Sequence, residues 1–256
     1  MNPPLEASEP GWAELFQAWN VFIPSFLKDH YETRIYPPLL ISDDILIESK
    51  YLAHFPQQVF SVKDRQKASG QSITPAACLH VYPRLRDQQV KNSSTFILAH
   101  CARFENGIWE PPYRLPDFHM AELVVVGEAE FVRVRKEQIK ELIDESFTDL
   151  GLSGSFHNAT DVFFLGQNEG AKIIQQLKGL KQEYRVKDAQ GSVALASIND
   201  HEDFFGNCFK IKSQDSFAYS FCAAFGVERL AAYTCRLWGS DQKKWPDEFK
   251  EHVGIL

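Results

Sequence analysis

Apolar and polar positions alternate with a period of two over several short stretches of this chain, and with a period near 3.6 over a few longer ones. Residues 10–31 carry Trp12, Leu15, Phe16, Trp19, Phe22, Phe26 and Leu27 on a helical stripe that Pro24 interrupts, so a kink or two helices is expected. Residues 42–60 open with Ser42 and two aspartates, which predicts a capped helix and then a short segment. Residues 128–150 form the clearest amphipathic helix, closed by Gly151. Residues 166–181, with Ala171, Ile174 and Leu177 at three-residue steps, predict a short helix with a basic end. Strands are expected at 34–36, stopped by Pro37 and Pro38, and at 95–101, 182–185, 191–198, 208–212 and 216–222. Residues 61–72 are polar and read as an exposed loop, residues 74–82 as an apolar entry into the core, and the chain from Ala223 as helix. Many strands with helices outside them make an α+β protein on an antiparallel sheet. No repeat or composition break divides it, so residues 1–256 are expected to form one domain.

Residues 102–127 stand apart within this pattern. They read as two strands joined by a loop, with Cys101, Arg103 and Glu105 on one face of the first arm and Phe118, Met120 and Glu122 on one face of the second. Charged side chains on a half-buried strand are costly unless something compensates them. A surface hairpin with a salt bridge meets that requirement. So does a ligand: Arg103 and Arg114 suit phosphate, Glu105 an amino group and Phe118 a flat ring. Arg229 poses a similar question, because a cation in the first turn of a helix opposes the helix dipole, and a phosphate or an adenine face would be a partner for it.

Composition narrows the classes. A formal charge of −7 and 34 acidic against 27 basic residues argue against a polyanion as the main partner. No apolar run is long enough for a membrane span and the first residues do not read as a signal peptide, so a cytoplasmic location is expected. Five cysteines without short paired spacings indicate neither a disulfide framework nor a zinc knuckle.

Three stretches together resemble the catalytic domain of class II aminoacyl-tRNA synthetases. Residues 35–40 look like motif 1, whose proline lies at a dimer interface. Arg103, Phe104 and Glu105, followed by Arg114 and Phe118, look like motif 2. Phe225, Gly226, Val227, Glu228, Arg229 and Leu230 look like motif 3. Within the class the chain resembles the seryl branch, with Glu183, Ser197 and Asn199 where metal- and substrate-contacting residues are expected. Ala224 departs from the pattern, standing where motif 3 commonly has glycine.

The cysteines sharpen this to atypical seryl-tRNA synthetases of methanogens and the small amino acid:carrier protein ligases related to them. That resemblance implies a zinc ion on Cys78, Glu122 and Cys222, with a fourth position left open for the substrate's α-amino group. It implies a homodimer. It also implies ATP as substrate with Mg²⁺ held through Glu183 and Asn199, adenine between Phe118 and Arg229, and Arg103 bridging the α-phosphate and the amino acid carboxylate. A small amino acid (glycine, alanine or serine) would be activated and passed to the phosphopantetheine thiol of a carrier protein. Residues 166–181 occupy the place of the family's carrier-docking helix. The first residues are too few for the long tRNA-binding arm, so tRNA is not the expected acceptor. The alternatives are a compact seryl-type synthetase, transfer to a small-molecule amine, and a non-catalytic paralogue.

Overall fold

Alternation builds the central layer, and a computed structural model describes it through residues 10–64, 67–107, 109–159, 178–188 and 191–255. In chain order the elements are helix α1 (Trp12–Phe26), strands β1 (Thr33–Ile35) and β2 (Leu40–Ser42), and helices α2 (Asp43–Glu48) and α3 (Tyr51–His54). Strands β3 (Ser61–Lys63), β4 (Ala68–Ile73), β5 (Asn92–Ala102) and β6 (Asp117–Gly127) follow, then helix α4 (Ala129–Asp149). Next come strands β7 (Gly154–Asn158), β8 (Lys181–Asp188) and β9 (Gly191–Glu202), helix α5 (Phe204–Phe209), and strands β10 (Lys212–Ser213), β11 (Ser216–Phe217) and β12 (Tyr219–Gly226). Helices α6 (Val227–Trp238) and α7 (Asp247–Val253) end the chain.

A seven-stranded sheet runs in the order β1-β5-β6-β12-β9-β8-β7. Only β1 and β5 pair in parallel; the other neighbours are antiparallel. The sheet is therefore mixed, with the α+β character that alternation predicted. Period two sorts each strand between two cores. Along β6, Ala121, Leu123 and Val125 join the core beneath α1, α4, α6 and α7, while Val124 and Val126 join the core on the opposite face. In the first core Trp19 donates from Nε1 to Thr234 Oγ1 at 3.0 Å, tying α1 to α6. The second core gathers the 3₁₀ turns of residues 77–85 and α5. Cys78 and Cys222 are buried members of this second core.

Several local expectations are corrected. Residues 61–63 and 68–72 are strand rather than loop: β4 pairs with both β2 and β3 in a separate three-stranded sheet. Most of β4 is exposed, so no buried face imposes alternation on the sequence. The helix expected in 42–60 breaks at Lys50, which takes a left-handed conformation (φ 62°), although Ser42 does cap α2 by accepting from Asp44 N at 3.2 Å. Cys208 lies on α5 rather than on a strand. Gly206 in that helix has no room for a side chain, since a Cβ there would sit 2.2 Å from Ala218 O. Residues 223–226 complete β12 before the helix begins. Pro24 stays inside α1, and a 3₁₀ turn over Lys28–His30 follows. The predicted helix 166–181 lies outside the described residues up to 177, and its last residue, Lys181, opens β8.

Candidate active site

The register of four adjacent strands lays the site out in rows. Glu122 on β6 faces Ala224 on β12, Ala224 faces Ser197 on β9, and Ser197 faces Glu183 on β8. The neighbouring row on the same face runs Val124, Cys222, Asn199, Lys181. Residues far apart in the chain thus share one floor. Above it opens a cleft lined among others by Arg103, Glu105, Arg114, Phe118, Glu183, Ser197, Ala224 and Arg229.

One end of the cleft is cationic and aromatic. Arg103 and Glu105 do not continue β5, which stops at Ala102. Arg103 N donates to Pro116 O at 2.9 Å, closing the loop, and Glu105 sits in a 3₁₀ turn with φ 48°. The guanidinium of Arg103 lies 4.8 Å from the Phe118 ring centroid and 3.9 Å from the Glu105 carboxylate. Arg229 answers its own puzzle partly from within the chain: its Nε donates to Tyr113 O at 2.6 Å and its Nη1 to Ala194 O at 3.3 Å. Burial and then the nearby Arg103 push its pKa down. Two crowded cations favour an anionic ligand. The preceding Glu228 accepts from His119 N at 2.8 and 2.9 Å and sits 2.7 Å from His119 Nδ1, clamping α6 to β6.

At the other side Glu183 is held by Lys181 at 3.2 Å and by Arg185. Burial alone would raise the Glu183 pKa, but Lys181 and Arg185 together bring it below the usual value. The side chain of Asn199 is oriented by its own row: Nδ2 donates to Cys222 Sγ at 3.4 Å and to Ser197 Oγ at 3.1 Å, while the buried Oδ1 has no partner. Lys181, Glu228 and Arg185 were not assigned to the site from sequence. The alternation of Lys181, Glu183 and Arg185 carried the signal, masked by reading Lys181 as the end of a helix.

Beside this floor Cys78, Glu122 and Cys222 bring one donor atom each to within 4.8 Å of one another, and all three are buried. Cys78 arrives from the 3₁₀ turn Ala77–His80, beneath which β5 and β6 pass. One Glu122 oxygen, Oε2, is buried without a hydrogen-bond partner. The hydrogen-bonded Cys222, burial and the Glu122 charge push the Cys78 thiol well up. The Cys222 thiol is also raised, since burial and Glu122 outweigh the lowering effect of Cys78, and burial above all raises Glu122. Three acids held close in a dry site, with an unsatisfied oxygen among them, are what a divalent cation would resolve. Two sulfurs and a carboxylate match zinc, and three protein ligands leave one position open. Among the described residues no other such cluster occurs.

No helix among the described residues is long and apolar enough to cross a membrane. No protein-family model matches the chain. An amino acid–[acyl-carrier-protein] ligase of Bradyrhizobium diazoefficiens is 29% identical over 189 residues, covering 72% of this chain and 56% of that protein. A type-2 serine–tRNA ligase of Methanococcus aeolicus is 25% identical over 209 residues, covering 77% and 40%. The chain thus spans about half the length of these curated relatives, or less. Among solved structures, M. kandleri SerRS bound to A. aeolicus tRNASec superposes with a TM-score of 0.79 at 18% identity, covering 96% of this chain and 56% of that one. Seryl-tRNA synthetase of Pyrococcus horikoshii complexed with ATP gives 0.74 at 14%, covering 95% and 56%. The chain therefore has the fold of the class II aminoacyl-tRNA synthetase catalytic domain, and its sequence is similar to amino acid–carrier protein ligases and type-2 serine–tRNA ligases.

Proposed function

We propose that the chain is an ATP-dependent ligase that activates a small amino acid as its adenylate and passes it to the phosphopantetheine thiol of a carrier protein. One observation carries the reading: the Cys78, Glu122, Cys222 triad and the Arg103, Phe118, Arg229 cleft share one sheet face, with Glu122 directly opposite Ala224 of the cleft floor. A nucleotide and an amine-bearing substrate held there would meet. The similarity to carrier protein ligases favours a carrier thiol as acceptor.

Zinc on the triad would supply a Lewis-acidic anchor for the α-amino group, which selects an amino acid over a hydroxy or keto acid. The chain's own residues do the rest. Arg103 holds the α-phosphate and the amino acid carboxylate against their mutual repulsion, and Phe118 and Arg229 offer their faces to adenine. Glu105 accepts from the adenine amino group. A carboxylate oxygen attacks the α-phosphorus, the bond to the bridging oxygen breaks, and pyrophosphate leaves; Glu183 would hold the Mg²⁺ brought with ATP. Charge that develops on the phosphates is offset by fixed cations, with Lys181 beside Glu183 adding one more. The carrier thiol then attacks the carbonyl carbon of the mixed anhydride, AMP departs, and a thioester remains. No nucleophile on the enzyme takes part, so Cys101, Cys208 and Cys235 keep no catalytic role. The homodimer that motif 1 implies belongs to this proposal as well.

ATP–pyrophosphate exchange over a panel of amino acids tests the first step. Exchange with one or a few of glycine, alanine and serine is expected, and none with any amino acid rules the reading out. A second reading, transfer to tRNA, draws on the similarity to type-2 serine–tRNA ligases; serine-specific exchange together with tRNA charging would favour it.

A further inference from the structure

β9 extends past Asn199, and two residues on it places His201 in full burial, 0% exposed. Its Nε2 lies 3.8 Å from Cys222 Sγ, within reach of a hydrogen bond to sulfur. Its Nδ1 lies 3.0 Å from the hydroxyl of Tyr82 and 3.2 Å from Ser220 Oγ. Tyr82 is itself fully buried and stacks on Phe205 at 4.2 Å, so its hydroxyl has a fixed direction. A neutral imidazole carries one N–H. When a hydroxyl donates to Nδ1 the ring proton sits on Nε2 and faces the sulfur. Asn199 Nδ2 donates to the same sulfur at 3.4 Å.

Charge gives this arrangement a purpose. Two thiolates and a carboxylate around a divalent cation leave a net negative charge in a buried place, which is costly unless N–H dipoles are directed at it. We propose that His201, together with Asn199, is a positioning residue for the metal site: the two N–H donors hold Cys222 in its ligand orientation and stabilise its thiolate, and Tyr82 selects the ring tautomer that makes this possible. The assignment rests on the metal reading above. It also gives Asn199 a role other than holding the cation on the nucleotide, with its Oδ1 left over to accept from the substrate amine.

The test uses the full chain loaded with Co²⁺ in place of zinc, with thiolate-to-cobalt charge-transfer absorption as the readout. His201→Phe keeps a ring and loses the N–H. It should move the charge-transfer band to longer wavelength, because a sulfur without its donor is more easily ionised, and weaken metal binding in chelator competition by roughly 10–100-fold. His201→Gln, whose amide can place an N–H near the Nε2 position, should restore most of both. Tyr82→Phe removes only the hydroxyl and should shift the band in the same direction by less. A charge-transfer band in the wild type that stays in place in His201→Phe and Tyr82→Phe overturns the proposal. No thiolate band in the wild type overturns the metal reading itself, and this proposal with it.

Discussion

Replacing Glu122 by glutamine separates a metal ligand from a packed carboxyl, because its effect on stability depends on whether metal is present. Glu122 is 3% exposed, one of its oxygens is without a partner, and burial raises its pKa. In metal-stripped protein Glu122→Gln exchanges a carboxyl for an amide of the same shape, and the change should stay within about 1 kcal/mol. In metal-loaded protein the substitution also removes metal-binding energy. Zinc at about a thousand times its dissociation constant adds about 4 kcal/mol to stability. Outer-shell changes alone can cost roughly 100-fold in affinity, and losing a direct ligand should cost no less. At that level the stabilisation falls to about 1.4 kcal/mol, a loss of about 2.7 kcal/mol. For a chain of this size that lowers the melting temperature by roughly 5–10 °C. Differential scanning calorimetry of wild type and variant, each with and without chelator, reads the effect, and titrations should show amino acid binding weakened far more than ATP binding. Equal melting temperatures of the wild type with and without chelator, or an equal loss in both states of the variant, would refute the reasoning.

Ala224→Gly removes the methyl group that lies between Glu122 and Ser197 in the floor row; the KM for ATP should fall a few-fold, at a cost of roughly 0.5–1 kcal/mol in stability, read by exchange kinetics and urea denaturation. Arg229→Lys loses the planar fork that binds Tyr113 O and Ala194 O, and should raise the KM for ATP roughly tenfold, about 1.4 kcal/mol, with the amino acid KM unchanged. Burial, helped by Arg84, lowers the His80 pKa from 6.5 to about 4. A depressed histidine contributes stability that is intact above pH 6.5 and is lost as pH falls toward 4, so urea midpoints between pH 7 and 4.5 should slope less in His80→Gln than in the wild type.

Much of this architecture was legible in the sequence because burial enforces period. β6 reads as a strand since its alternate residues enter two different cores, and α4 reads as a helix since Val132, Ile139, Ile143 and Phe147 share one buried stripe. The resemblance to class II synthetases, drawn from three short motifs, is borne out by the superposed structures. Local periodicity failed where burial is weak or elements are short. β3 and β4 are largely exposed, and α5 is a six-residue helix whose apolar run passes equally for a strand. The two-row layout was invisible for a different reason: cross-strand register joins Cys222 to Asn199 and Glu122 to Ala224, and no local pattern encodes which strands become neighbours. His201 gave no sign for the same reason, since its partners Tyr82 and Cys222 stand 119 and 21 residues away.

An amino acid activated in this cleft is proposed to end on a carrier thiol. Intact-mass measurement of a pantetheinylated acyl carrier protein, incubated with the chain, ATP, Mg²⁺ and glycine, alanine or serine, tests it most directly. A mass increase of one aminoacyl residue is expected that depends on ATP, is reversed by hydroxylamine and is lost in the Arg103→Ala variant. An unchanged carrier mass alongside robust amino acid-dependent pyrophosphate exchange would contradict it and point to a different acceptor.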